Sequence, residues 1–164
     1  MTSLFECDPA FLYRCCSTHN FNAIFDYKSA VERSLTQERS PSPDDEHRNC
    51  RSDGSRDRLL RELRHRLLHT DEWGNTCIHA AAYNNPSAEV FEALISLSRR
   101  TVPPIDLSSI RCNDGSTPLH VACGWGCHFS ALASLTDHLS GEAAAKLATA
   151  ADDAGRTALL AALG

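Results

Sequence analysis

Between Arg58 and His69 the apolar residues Leu59, Leu60, Leu63, Leu67 and Leu68 fall at i, i+1, i+4, i+8 and i+9. That spacing places one apolar stripe along a helix. Arg58, Arg61, Arg64, His65 and Arg66 lie mostly elsewhere on its circumference. A basic amphipathic helix could lie on a membrane or bind calmodulin. The alternative is a helix packed on its successor with solvated arginines, and it is favoured because a repeated pattern begins at Asp71. Two further stripes of helical period occur at Val90, Phe91, Leu94, Ile95 and Leu97, and at Ala131, Leu132, Leu135 and Leu139.

The chain before Arg58 is different. Phe21, Ile24, Phe25 and Val31 fit one helical face, which predicts either a helix over about 21–35 or a loosely attached N-terminal arm. From Thr36 to Asp57 large apolar side chains vanish, and Ser40-Pro41-Ser42-Pro43 is followed by an acidic run. Such a stretch has no apolar surface to bury against its ordering entropy, so 36–57 is expected to be a disordered linker. Its two Ser-Pro pairs match proline-directed kinase sites, a pattern common by chance.

Three segments then share one pattern. They open at Asp71-Glu72-Trp73-Gly74-Asn75-Thr76, Cys112-Asn113-Asp114-Gly115-Ser116-Thr117 and Asp152-Asp153-Ala154-Gly155-Arg156-Thr157, with the glycines 41 and 40 residues apart. Each glycine suits a tight turn that needs positive φ. The threonine two residues later suits a helix N-cap. Pro118 suits the first helical position, where a missing N–H costs nothing. His79 and His120, three residues after the cap, can reach back to it as in a capping box. Small residues such as Ala81, Ala82 and Ala122 then form an inner face that allows close helix approach.

Thr117-Pro118-Leu119-His120-Val121-Ala122 in this setting resembles the opening of an ankyrin repeat, and the resemblance covers roughly Arg58 to Gly164. It implies an all-α, ankyrin-like solenoid: two full repeats, the Leu59–Leu68 helix as N-terminal cap, and a C-terminal partial repeat. The corresponding division is an arm over 1–35, the linker over 36–57 and a repeat region over 58–164. The departures are Cys77 and Ala158 in place of proline, Leu160 in place of histidine, and Cys112 in place of aspartate. Extra residues fall around Thr101–Ile110 and Gly141–Ala150, because the usual period is near 33 residues.

Composition narrows the function classes. A net charge of −5 gives no reason to expect nucleic-acid binding. No basic n-region leads an apolar run, and no 18-residue apolar stretch exists to span a bilayer, so an intracellular protein, cytoplasmic or nuclear, is expected. In that setting the eight cysteines are expected as free thiols. Cys112, His120, Cys123, Cys127 and His128 cluster, but without a CxxC pair and with no standard finger spacing. A zinc- or thiol-dependent site there is the weaker alternative. No nucleophile with a spaced acid partner emerges, and Gly124-Trp125-Gly126 lacks the setting of a phosphate loop. The expectation is a non-enzyme without cofactor or small-molecule substrate.

The resemblance also implies where a partner protein would sit: on the concave face, at the turn tips and the exposed end of each first helix. Carried over residue by residue, those positions are Glu72, Trp73, Asn75, Tyr83 and Asn84, then Arg111, Asn113, Asp114, Ser116 and Trp125, then Asp153 and Arg156. Both tryptophans of the chain and Tyr83 are in this set, and such aromatics often carry interface energy. The competing readings are that these rings pack over an inter-repeat insertion, or that the chain is a structural fragment of a longer array.

Overall fold

The computed structural model describes residues 8–37, 53–84, 86–106, 109–137 and 139–163. Nine helices lie among them: α1 (Phe11–Ser17), α2 (Phe21–Gln37), α3 (Asp53–Leu67), α4 (Cys77–Tyr83), α5 (Ala88–Arg100), α6 (Pro118–Gly124), α7 (Phe129–Asp137), α8 (Gly141–Thr149) and α9 (Ala158–Ala161). Four short helices stack in the order α1, α4, α6, α9, and three others stack beside them in the order α2, α5, α7. The molecule is a two-layer helical solenoid.

The short inner helices start as their sequence requires. The backbone N–H of Thr76 donates to Nδ1 of His79 at 3.2 Å, and that of Thr117 does the same to His120 at 3.2 Å. Thr117 Oγ1 in turn accepts from the His120 amide, and Pro118 occupies the first turn of α6. These bonds satisfy amides that a helix start leaves without intrahelical partners. Behind them Ala81, Ala82 and Ala122 are buried, so the helices meet largely through small side chains. The outer layer contributes the bulk: Phe91, Leu94 and Leu97 of α5 and Leu135 of α7 have no exposed surface.

The N-terminal segment is a helix pair in the stack. Leu12, Cys15 and Cys16 of α1 and Ile24, Tyr27, Val31 and Leu35 of α2 join the same core as α4 and α5. Helical order thus precedes Arg58, the expected start of the repeat region. Of the linker expected at 36–57, residues 38–52 lie outside the described residues, including both Ser-Pro pairs; α2 runs on to Gln37 and α3 begins at Asp53.

Two helices stand outside the stacked pairs, α3 and α8. The helix expected as a cap at Leu59–Leu68 is α3, but the outer place before α5 belongs to α2, and α3 packs on α1 and α5. Its Leu60, Leu63 and Leu67 are buried, which leaves no free apolar face for a bilayer or calmodulin. Arg66, expected among solvated arginines, is only 2% exposed. It bonds Glu62 at 2.6 Å and Tyr27 Oη at 3.3 Å, and its guanidinium lies over the Tyr27 ring. The aromatic face and hydroxyl of α2 explain that burial. The other, α8, lies in the extra residues expected around Gly141–Ala150, is capped by Ser140 and anchors through buried Leu147.

Turns with positive φ open each repeat at Gly74, Gly115 and Gly155. At the first two the constraint is double. A Cβ on Gly115 would collide with the Asp153 carboxylate and lie 2.9 Å from its amide nitrogen, and one on Gly74 would meet Asn113 in the same way. At Gly155 nothing lies within 4 Å. Gly155→Ala should therefore cost only the left-handed backbone penalty, about 1 kcal/mol. Gly115→Ala should cost clearly more, about 3 kcal/mol, because the next turn must move as well. Chemical denaturation of the two variants compares them, and equal losses would refute close turn-to-turn contact.

Candidate protein-binding groove

Each repeat opens with a six-residue finger, and a carboxylate organises it. Asp71 Oδ1 accepts the amides of Trp73 (3.0 Å) and Asn75 (2.7 Å). Asp152 Oδ1 does the same for Ala154 (3.0 Å) and Arg156 (2.8 Å). Cys112 replaces that aspartate in the middle finger, and Asp114, two residues on, takes over. Its Oδ1 accepts from the Ser116 amide at 3.0 Å and from the Cys112 thiol at 2.9 Å. Short polar side chains that bond their own backbone two residues on are a turn-forming device.

The fingers are tied to one another. The Asn113 amide donates to Trp73 O at 2.9 Å, and the Asp153 amide donates to Asp114 O at 3.0 Å. Each is also held from below by the preceding inner helix. His79 Nε2 meets Ser116 O at 3.2 Å, and His120 Nε2 meets Arg156 O at 2.9 Å. Since Nδ1 of each ring accepts the cap amide, Nε2 carries the proton and donates. Tyr13 occupies the matching third position of α1, and its hydroxyl donates to Asp71 Oδ2 at 2.6 Å. In α9 that position is Leu160, which is exposed.

Fingers and inner helices enclose a groove of about 710 Å³. Trp73, Asn75, Tyr83, Asn84, Asp114, Ser116, Trp125 and Arg156 line it. Glu72, Arg111, Asn113 and Asp153 are exposed on the fingers and their approach but do not line it. Trp73, Tyr83 and Trp125 are 63%, 52% and 64% exposed. The rings of Tyr83 and Trp125, from the ends of successive inner helices, lie 4.5 Å apart at 59°. Among the described residues no ring contact joins Trp73 to that pair.

Some carried-over positions have structural duties. Ser116 is only 8% exposed. Asn84 Nδ2 donates to Cys16 O at 2.9 Å and to Ala80 O at 3.0 Å, tying α4 to α1. Asn113 Nδ2 donates to Glu72 O, and Arg111 to Gly115 O and Ala151 O, each bridging two fingers. Arg156 pairs with Asp152. Tyr13, Asp71, Val121 and Asp152 also line the groove, although the sequence pattern does not single them out as site residues. The Asp71–Gly74 and Asp152–Gly155 spacing could have pointed to the two aspartates. Tyr13 carried no such signal, because no Gly-x-Thr opening precedes α1.

The groove carries fixed negative charge. Burial alone would raise the Asp71 carboxyl, but the Tyr13 hydroxyl and the amides of Asn75 and Trp73 outweigh it and hold it below the usual range. The Cys112 thiol and Ser116 amide lower Asp114, and the Arg156 amide, against slight desolvation, lowers Asp152. The thiols are the reverse of reactive. Desolvation and the neighbouring Asp114 push Cys112 up to about 11, and desolvation raises Cys123 and Cys127. A nucleophile or a zinc ligand needs the thiolate. Among the described residues no group of three or more His, Cys, Asp or Glu could hold a metal ion.

A solenoid of short capped helices and stacked fingers belongs to the helical-repeat interaction scaffolds. Residues 47–139, more than half of the chain, match the family described as Ankyrin repeats (3 copies), and the chain belongs to that family. No curated protein shows significant similarity to it. Proteins of this family are typically non-catalytic and generally serve as protein–protein interaction modules.

Burial lowers His79 to about 4, whereas an unfolded histidine titrates near 6.5. Between those values the unfolded chain binds the extra proton and the folded chain does not, so acidification favours unfolding. Stability should fall by about 2–3 kcal/mol from pH 6.5 to 4, before the lowered aspartates contribute below that window. His79→Gln keeps a side chain that can cap Thr76 but removes the titration, so its urea-denaturation profile should be flatter there. An equal slope in both proteins would contradict a buried neutral His79.

Proposed function

We propose that this chain binds a partner protein in the groove between its fingers and inner helices, without catalysis. The observation that carries this reading is the Tyr83–Trp125 pair, two large rings in mutual contact yet more than half exposed at the wall of the cleft. Exposed rigid aromatics add contact area at low entropic cost, and they are frequent where binding energy concentrates. Trp73 faces the same cleft from the first finger. The bonds that fix Asn113, Arg111 and Asn84 hold the walls in place, and a preformed site loses less entropy on binding. No described helix is long and apolar enough to cross a membrane. An intracellular location is part of this proposal.

The full chain is the right bait, because α1 supplies Tyr13 and Ser17 to the groove and α2 supplies core. Affinity capture with mass spectrometry, comparing wild type with Trp73→Ala, Tyr83→Ala and Trp125→Ala, identifies groove partners as those lost from the variants. Each replacement should weaken such a partner by about tenfold or more and leave the melting temperature nearly unchanged. Lower melting temperatures with binding intact would make these rings structural and the proposed site wrong.

A further inference from the structure

We propose that the occupant of this groove is an extended segment of a partner protein that carries arginine, read by the Tyr83–Trp125 pair and the finger carboxylates. The inference rests on the groove-binding reading and adds the chemistry of what enters. Counting the fingers with the groove lining, five carboxylates (Asp71, Glu72, Asp114, Asp152 and Asp153) stand against the guanidiniums of Arg111 and Arg156. Both cations are engaged. Arg156 donates to Asp152 at 2.9 Å, and Arg111 donates to the carbonyls of Gly115 and Ala151. Asp71, Asp114, Glu72 and Asp153 face no cation within ion-pair distance among the described residues.

His79 and Tyr13, which also face the cleft, add no positive charge to offset this excess. His79 is neutral above about pH 4, and Tyr13 is pushed up to about 12, first by burial and then by Asp71. A low-dielectric cleft lined by one sign of charge concentrates the opposite sign. The aromatic pair selects among cations. A guanidinium stacks flat on an exposed ring and can also bond a carboxylate through two parallel N–H groups, which an ammonium cannot do. The groove, at about 710 Å³, has room for a few side chains of a short segment. Nucleic acid and acidic peptides would meet repulsion here.

The test pans random linear peptides displayed on phage against the immobilised full chain. Retained peptides are then synthesised and titrated by fluorescence anisotropy. Enrichment of arginine, with binding weakened about tenfold or more by Trp125→Ala or Tyr83→Ala, is the expected result. Glu72→Gln and Asp114→Asn should each weaken binding by about threefold, and added salt should weaken it further. Glu72 is exposed at the finger tip, so its variant tests the charge even where Asp114→Asn disturbs the turn. Peptides that depend on Trp125 but carry no basic residue, and ignore the carboxylate variants, would overturn the arginine inference and leave the groove reading intact. Failure to select any peptide sensitive to Trp125→Ala and Tyr83→Ala would overturn the extended-segment inference, whereas the groove reading falls only if affinity capture also finds no partner lost from those variants.

Discussion

One hydrogen bond, repeated, fixes the register of this molecule: a ring on the third residue of an inner helix reaches the finger of the next repeat. Tyr13 holds Asp71, His79 holds the Ser116 carbonyl and His120 holds the Arg156 carbonyl. The two histidines also cap their own helices, so one imidazole joins the start of a helix to the following turn. A buried polar ring must have both nitrogens satisfied, and only the stacked arrangement does that for His79. The glycines serve the same contact from the other side, because a side chain at Gly74 or Gly115 would push the next finger away.

The groove follows from this ladder. Fingers fixed at both ends place three carboxylates along one wall and the ends of α4 and α6 along the other, where Tyr83 and Trp125 meet. Substituting Cys112 for the first aspartate does not break the middle finger, since Asp114 supplies the missing acceptor and the thiol becomes a donor to it. That exchange also accounts for the inert thiol. A sulfur that donates to a carboxylate keeps its proton.

Most of the repeat framework was legible because glycine, threonine and proline act locally. Positive φ, an N-cap and a missing amide each leave a sequence trace at a fixed offset. The stripes of α5 and α7 were legible for a similar reason, since an outer helix buries one face. What escaped was set by distant partners. Tyr13 matters only because Asp71 lies opposite it, 58 residues on. Arg66 is buried only because Tyr27 of α2 offers a ring and a hydroxyl. The turn-tip positions differ in their surroundings: Trp73, Tyr83 and Trp125 are open to solvent, whereas the Ser116 carbonyl and the Asn84 side chain hold the backbone together.

Tyr13→Phe tests the ladder most directly, because it removes one hydroxyl and leaves the ring packed. Hydrogen exchange followed by NMR should show faster exchange at the Trp73 and Asn75 amides, which Asp71 holds, with a stability loss of about 1–2 kcal/mol. The amides of Ala154 and Arg156 in the third finger should change little. Unchanged protection of the first finger would mean that the fingers keep their register without the rings beneath them, contrary to this account.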